Sequence, residues 1–164
     1  MPKSPVRFSK SAMPALVAVA LFASALPSTN ARAASEGPEG SPLPSAANVE
    51  VDTYRAEITT DGTYKAGAAG SVKIKLTAKA GFHINGQYPY RFKASAPAEG
   101  VSYPKPVLER ADGQFEEKTA VFTLPFVAAH AGKFAVGGVL NLSVCSPASC
   151  IVQKAPLDVT VTVQ

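Results

Sequence analysis

Apolar and polar residues alternate with a period of two along most of the chain from residue 49 onward. The clearest case is the segment 72–79, in which Val72, Ile74 and Leu76 alternate with lysine and threonine. This alternation is typical of a β-strand with one face on a core and the other in water. The same reasoning predicts further strands at 49–58, 82–85, 90–93, 101–103, 119–128, 134–145 and 157–163.

Turn-forming residues separate the predicted strands, and no segment shows the 3.6-residue period of an amphipathic helix. Asp61-Gly62 and Asn85-Gly86 are turn signals of this kind. Seven or eight short strands joined in this way predict an all-β fold, an antiparallel β-sandwich of the immunoglobulin-like type.

Prolines restrict how two of these segments can pair. Pro104 and Pro106 are unsuited to a strand interior or a helix, so residues 104–118 are expected to form a long charged loop. Loops of this length are often functional. Pro125 lies inside the predicted strand 119–128 and marks it as an edge or bulged strand.

The residues before the first strand have a different composition. Residues 1–33 combine a basic head, an apolar run from Ala12 to Leu26 and a small-residue cleavage site at Ala31-Arg32-Ala33, which together predict a secretory signal peptide. Residues 34–47 are rich in Pro, Gly, Ser and Ala and are predicted to be a flexible linker. The folded domain is therefore expected to span residues 48–164.

Removing the signal peptide changes the charge of the protein. The full chain has 16 basic and 12 acidic residues, but four of the basic ones, Lys3, Arg7, Lys10 and Arg32, lie in the signal peptide, and no acidic residue does. The mature chain then carries 16 − 4 = 12 basic and 12 acidic residues, a formal charge of zero. We therefore expect no nucleic-acid partner and a soluble mature form.

Cys145 and Cys150 are the only cysteines, and they flank a four-residue segment between two predicted strands. An exported protein matures where disulfides persist, so one bridge is the simplest pairing. Four residues is a common hairpin length, which would place the two cysteines opposite each other on neighbouring strands. Such a bridge closes a ring of about six residues and stabilises the fold by only about 2 kcal/mol in the chain-entropy model.

Side-chain alternation also predicts which way the first cysteine faces. Leu140, Leu142 and Val144 share one face of their strand, which puts Cys145 on the opposite, polar face toward solvent. These features favour an exchangeable disulfide. A fixed staple in a non-catalytic secreted sandwich that binds a protein partner is the alternative.

Other residues offer weaker chemistry. His83 could lie near the cysteine pair as a base or a metal ligand, although a lone histidine in a strand is more often a surface residue. Nothing in the spacing of the cysteines and histidines is diagnostic of zinc or copper. We therefore predict no metal and no organic cofactor.

Several segments taken in order resemble a known family. They are Gly81–Asn85, Gly100–Pro104, Val121–Val127, the strand ending Leu142-Ser143-Val144-Cys145 with the following Ser146–Cys150, and Ala155-Pro156-Leu157. Together they are similar to the N-terminal periplasmic domains of the DsbD family of thiol:disulfide interchange proteins. The cysteine pair after a Leu/Val strand is the most specific of these elements.

This resemblance implies a periplasmic, cofactor-free oxidoreductase or electron carrier whose redox pair is Cys145 and Cys150. Such a domain takes electrons from a membrane-embedded donor and passes them to periplasmic thioredoxin-like or other thiol proteins. The family analogy makes Cys150 the cysteine that forms the mixed disulfide. It also implies a cap over the sulfurs, for which residues 102–118 offer Tyr103 or Phe115. Family members continue into transmembrane helices and a thioredoxin-like domain, so here the donor is expected to be a separate polypeptide.

Overall fold

The structure is a computed structural model that describes residues 46–164, and the predicted signal peptide and most of the predicted linker lie outside this range. The described part is an antiparallel β-sandwich of immunoglobulin-like type, as predicted. Its strands are β1 (Asn48–Glu50), β2 (Tyr54–Thr60), β3 (Thr63–Tyr64), β4 (Ala69–Ala78), β5 (His83–Ile84), β6 (Arg91–Ala94), β7 (Val101–Ser102), β8 (Val107–Glu109), β9 (Gly113–Phe115), β10 (Thr119–Ala128), β11 (Gly132–Cys145) and β12 (Cys150–Val163). A short 3₁₀ helix spans Arg110–Asp112.

Two six-stranded sheets make up the sandwich. The first has the order β1-β2-β4-β10-β7, with β9 pairing β10. The second has the order β3-β12-β11-β6-β8, with β5 pairing the end of β11. Pairing between these strands is antiparallel except for β3, which runs parallel to the end of β12.

The core lies between the sheets and follows the predicted alternation. In β4, Val72, Ile74 and Leu76 are fully buried while the lysines between them are exposed. Aromatic side chains from both sheets fill the interior, the largest fully buried ones being Tyr54, Tyr90, Phe92, Phe122 and Phe126. Burying apolar surface between the two sheets is the main term that stabilises such a fold.

The predicted long loop at residues 104–118 is wrong, because this segment contains β8, the 3₁₀ helix and β9. Leu108 is buried, and it pairs with Phe92 of β6. The Asp112 carboxylate accepts hydrogen bonds from Lys105 and from the backbone N–H of Glu109, and these bonds lower its pKa. The two prolines precede the short strands, so they do not interrupt any pairing.

Other boundaries also differ from the predictions. The last strand, predicted at 157–163, begins seven residues earlier, because β12 starts at Cys150 and pairs with β11 from there. The first predicted strand, 49–58, is broken at residues 51–53 into β1 and β2. Ala46 and Ala47, assigned to the linker, belong to the sandwich, because the Ala46 carbonyl accepts a hydrogen bond from Asp158 and the Ala47 carbonyl accepts one from Ile58. The sandwich therefore includes these two residues in addition to the predicted 48–164.

Pro125 occupies a local edge within β10. This strand pairs with β4 along most of its length. On its other side, β9 covers Ala120–Phe122 and β7 covers Val127–Ala128, which leaves 123–126 unpaired on that side. The Thr119 carbonyl accepts a hydrogen bond from the backbone N–H of Glu116 on that same side. The odd-numbered residues of β10 therefore direct their backbone N–H and C=O groups to this side. Pro125, which has no N–H, faces this gap.

Candidate functional site

The cysteine pair lies at the tip of the longest hairpin of the fold. β11 and β12 pair continuously over fourteen residues each, from Gly132 opposite Val163 to Cys145 opposite Cys150. The two cysteines form a disulfide and their Cα atoms are 3.9 Å apart. The ladder continues without a break through Gly137 and Gly138, so the side-chain alternation along β11 is preserved.

The connecting residues 146–149 form a tight turn held by Ser146. The Ser146 backbone N–H donates to the Ser149 carbonyl at 2.8 Å. The Ser146 hydroxyl oxygen accepts from the backbone N–H groups of Ala148 and Ser149 at 3.3 and 3.2 Å. These bonds fix the tip and therefore the spacing of the two cysteines.

The two cysteines differ in exposure. Cys145 is only 5% exposed, whereas Cys150 is exposed. Cys145 lies on the face of β11 opposite to Leu142 and Val144, which are buried in the core between the sheets. The predicted face is therefore correct, but the expectation that this face leaves Cys145 in solvent is wrong.

Strand β5 explains the burial of Cys145. His83 and Ile84 pair with Cys145 and Val144, so β11 has neighbours on both sides up to its last residue. Gly81 precedes β5 with a φ of +81°, a conformation that glycine adopts readily, and this turn follows the end of β4 in the other sheet. His83, Cys145 and Cys150 consequently form one row across the outer face of the sheet.

A buried polar network lies one row further along β11. Ser143 is fully buried, and its hydroxyl accepts a hydrogen bond from the Asn85 side chain at 3.3 Å. Its carbonyl accepts from the backbone N–H of Asn85 and from the Tyr90 hydroxyl. Burial raises the pKa of Tyr90 to about 12. This network fixes the part of β11 that leads into Cys145, and the sequence alone did not single it out.

Phe115, one of the two predicted cap residues, lies at this end of the sandwich. Its ring packs against Tyr90 at 4.9 Å and Phe122 at 5.5 Å between centroids. The guanidinium of Arg110 lies 4.9 Å from the ring centroid. The side chain is thus engaged by an aromatic cluster next to the core, and a capping role over the sulfurs stays a prediction.

Tyr103, the other predicted cap residue, lies elsewhere. Burial raises its pKa, and its hydroxyl is near the backbone of Gly137, which accounts for a smaller opposing effect. Gly137 precedes Cys145 by eight positions on β11, which corresponds to roughly 26 Å at about 3.3 Å per residue. Tyr103 therefore does not cover the sulfurs, because β7 pairs with the end of β10 that is remote from the cysteines.

An exposed apolar residue accompanies the exposed cysteine. Val152 is 60% exposed and lies two positions after Cys150 on β12, so both side chains share the outer face. It pairs with the buried Ser143. Val152 was not among the predicted site residues, although its parity with Cys150 is a signal that the sequence contains.

Apart from the hairpin tip, a concave surface lies beside β6 and β8. It is an open groove of about 410 Å³ lined by Pro89, Tyr90, Arg91, Glu109, Arg110 and Ala111. Arg91 and Glu109 form an exposed ion pair at 3.2 Å across it.

Among residues 46–164, no cluster of three His, Cys, Asp or Glu side chains is arranged to hold a metal ion. Over the same range, no helix is long and apolar enough to cross a membrane.

No protein-family model and no curated protein matches this chain. Among solved structures, it is similar to AggA, the major subunit of aggregative adherence fimbriae type I from Escherichia coli. That match has 10% identity and a TM-score of 0.34, and covers 70% of this chain and 98% of the other. The chain is also similar to PapD-like domain 7 of human CEP192, with 10% identity, a TM-score of 0.32 and coverage of 71% and 91% respectively. Neither likeness bears on what this chain binds or does.

Proposed function

We propose that the chain is a thiol:disulfide exchange protein whose Cys145–Cys150 disulfide accepts electrons from one thiol protein and passes them to another. The observation that carries this proposal is the difference in exposure within the pair. Exchange requires a thiolate to reach one sulfur, and its rate depends on which sulfur is accessible. Cys150 is exposed at the hairpin tip while Cys145 is 5% exposed, so a partner has one sulfur to attack.

The proposed reaction has two exchange steps. A thiolate of the donor attacks the Cys150 sulfur, the Cys145–Cys150 bond breaks, and its electron pair stays on the Cys145 sulfur as a thiolate. The second thiol of the donor then attacks the mixed disulfide and releases Cys150, so the donor becomes a disulfide and the pair gains two electrons. The reduced pair repeats these steps in reverse on a substrate disulfide.

The small structural value of the bridge also supports this proposal. The disulfide joins residues five apart in sequence at the end of a ladder that is already paired throughout. Closing so short a ring stabilises the fold by only about 2 kcal/mol in the chain-entropy model. Cys145 is buried but lies outside the main core cluster, and Cys150 is exposed, so the bridge does not join two residues of that cluster.

The resemblance described above extends the proposal to place and partners. The exported form acts in the periplasm, where disulfides persist, and its electron donor is a membrane protein. Its acceptors are thioredoxin-like or other thiol proteins. The exposed Val152 beside Cys150 offers such partners an apolar contact next to the reacting sulfur.

The equilibrium reduction potential of residues 46–164 tests the proposal. An exchange pair should equilibrate with thioredoxin, whose potential is about −270 mV, whereas structural disulfides lie below about −300 mV. The protein is equilibrated in redox buffers of defined composition, and the fraction of disulfide is measured by alkylating the free thiols. A bridge that stays oxidised against reduced thioredoxin under native conditions contradicts the proposal and favours a non-catalytic binding module.

A trapping experiment tests the order of attack. A thioredoxin variant that lacks its second cysteine is first converted at its remaining thiol to a mixed disulfide with thionitrobenzoate. The Cys150 thiolate of the Cys145→Ser variant should attack that disulfide, form a stable mixed disulfide with thioredoxin and release thionitrobenzoate. The Cys150→Ser variant is the matched control and should trap at least about tenfold more slowly, because its remaining thiol is buried. Equal trapping by the two variants would contradict the proposed role of Cys150.

A further inference from the structure

We propose that His83 is the charge partner of the Cys145 sulfur and stabilises it as the leaving thiolate when Cys150 is attacked. This inference rests on the proposed function, whose reaction it completes. From the sequence alone, a base near the cysteine pair was one possible role of His83, beside the more common role of a surface residue. The strand register is what places it beside one of the two reacting sulfurs.

The geometry follows from the hydrogen bonds on either side of Cys145. Ser146 donates to Ser149 at 2.8 Å, so residues 146 and 149 are a hydrogen-bonded pair and Cys145 and Cys150 are a non-hydrogen-bonded pair. By the same alternation, Cys145 directs its backbone groups toward β5 and forms a hydrogen-bonded pair with His83.

Directly opposed residues of an antiparallel pair point to the same face, with Cβ atoms about 4.5–5.5 Å apart. The Cβ atom of the exposed His83 side chain therefore lies next to that of Cys145. Cys150 lies on the opposite side of Cys145, so the histidine does not occupy the position from which Cys150 is attacked.

The chemistry assigns the histidine to the departing sulfur. When the donor thiolate bonds to Cys150, the disulfide electron pair moves onto Cys145, which is buried and has little water to stabilise its charge. An imidazolium beside it supplies the opposite charge and can transfer its proton to the thiolate. In the reverse direction the neutral imidazole takes the proton of the Cys145 thiol. A leaving thiol of lower pKa leaves faster, so the positive charge increases the rate of attack.

Other charged groups around β5 do not reproduce this effect. Glu117 and Lys118 lie just before β10, in the neighbouring sheet. The Lys118 ammonium donates to the Phe82 carbonyl, and the Glu117 carbonyl accepts from the backbone N–H of Ile84. Lys79, after β4, is paired with Glu50 at 2.9 Å. Lys154 lies two rows from Cys150 on β12. Lysine and glutamate side chains keep their charge between pH 5 and 8, whereas histidine changes its charge there.

The first test measures the thiolate of Cys145 directly. In the Cys150→Ser variant, thiolate absorbance is followed against pH with and without His83→Gln. Attraction between the imidazolium and the thiolate predicts about threefold less thiolate at pH 7 in the double variant. His130→Gln is the matched control. His130 lies in the turn before β11, packs against Phe134 and is therefore at the end of that strand opposite to Cys145.

The second test uses the pH profile of disulfide reduction by dithiothreitol in the otherwise unchanged protein. The rate of His83→Gln relative to wild type should be about threefold lower near pH 6 and approach equality above pH 8, where histidine is neutral. His83→Lys keeps a cation at this position, so it should retain the faster rate above pH 8. A purely structural role of His83 predicts the same ratio at every pH.

The outcomes separate this inference from the proposed function. If wild type exchanges with thioredoxin but His83→Gln changes neither the thiolate fraction nor the pH profile, the role of His83 is wrong and the exchange function stands. If wild type does not exchange with thioredoxin, the exchange function is wrong, while the thiolate measurement still reports on the His83–Cys145 contact.

Discussion

Burial makes the two sulfurs of one disulfide chemically different. Cys145 is covered because β5 continues to pair with the last residue of β11. Cys150 begins β12, and among residues 46–164 no strand pairs with the other side of β12 at this end. In the proposed exchange reaction, the exposed side chain is the site of attack and the covered one is the leaving group. Nothing beyond strand pairing is needed to produce this difference.

Replacing Val152 with lysine should slow exchange with protein partners only. Its exposed apolar side chain lies beside Cys150, and a charge there opposes an apolar partner surface. We expect the rate with reduced thioredoxin to fall by about tenfold, the equivalent of 1.4 kcal/mol, and the rate with dithiothreitol to change little. Val51→Lys alters the other exposed large apolar residue of the described chain and is the control. Equal loss with both reductants would indicate damage to the hairpin tip itself.

Tyr90→Phe should remove a pH dependence of stability. Burial raises the folded-state pKa of Tyr90 from 10 to about 12, so the neutral hydroxyl is favoured by folding. This contribution is complete below pH 10 and is lost as the pH rises toward 12, by an amount on the order of 2 kcal/mol. Urea unfolding at pH 9 and pH 11 should show a larger loss in wild type than in Tyr90→Phe. Parallel losses would show that the Tyr90 hydroxyl is not the group responsible.

At the residue scale, the sequence predicted the cysteine pair, the hairpin that joins it and the face on which Cys145 lies. It did not predict that Cys145 is buried, because that depends on β5, a strand of two residues whose pairing spans about sixty positions of the chain. The misassignment of Tyr103 has the same origin. Its position depends on which end of β10 pairs with β7, and no local pattern encodes that.

The β11–β12 hairpin is stabilised along its whole length by pairing and by one buried face. Leu140, Leu142 and Val144 are fully buried in the core, and the disulfide only closes the tip. Removal of the bridge and removal of a core side chain should therefore differ in cost.

The double variant Cys145→Ala/Cys150→Ala should lose about 2 kcal/mol of unfolding free energy and remain folded. Leu142→Ala, in the same strand, should lose about 2–5 kcal/mol because it leaves a cavity in the core. Urea titrations followed by circular dichroism compare the two. If the double variant is unfolded at 25 °C, the bridge is structural, and the argument from its small stabilising value is wrong.

At the scale of elements, the long alternating runs were predicted well. Of the short strands, β5, β6 and β7 were predicted at 82–85, 90–93 and 101–103, whereas β3, β8 and β9 were not. β4, β10, β11 and the second half of β12, residues 157–163, each contain enough alternating residues to show their period in sequence. β8 and β9 have three residues each, which is too few to show a period. They also lie in a segment that begins with two prolines and is rich in charged residues. Their pairing with β6 and β10 is specified by the partner strands and by the buried Leu108.

The whole molecule is a sandwich in which most polar surface is unspecialised. Exposed ion pairs such as Arg55–Glu57 and Lys79–Glu50 are at the surface, where pairs of this kind contribute little to stability. The β class followed from the sequence because alternation with one buried face leaves few other arrangements. The order of strands within each sheet did not follow, since it depends on contacts between distant segments.

The opening beside Pro125 has a consequence for many copies of the protein in one solution. An open length of strand can template a strand from another molecule, and such contacts propagate into fibrils. Pro125 removes one of the backbone donors that the gap at 123–126 would otherwise present. Pro125→Thr should therefore shorten the lag before thioflavin-positive aggregates form at high concentration, with Thr123→Ser as a control that keeps the proline. We therefore expect the missing N–H of one proline ring to oppose association between copies.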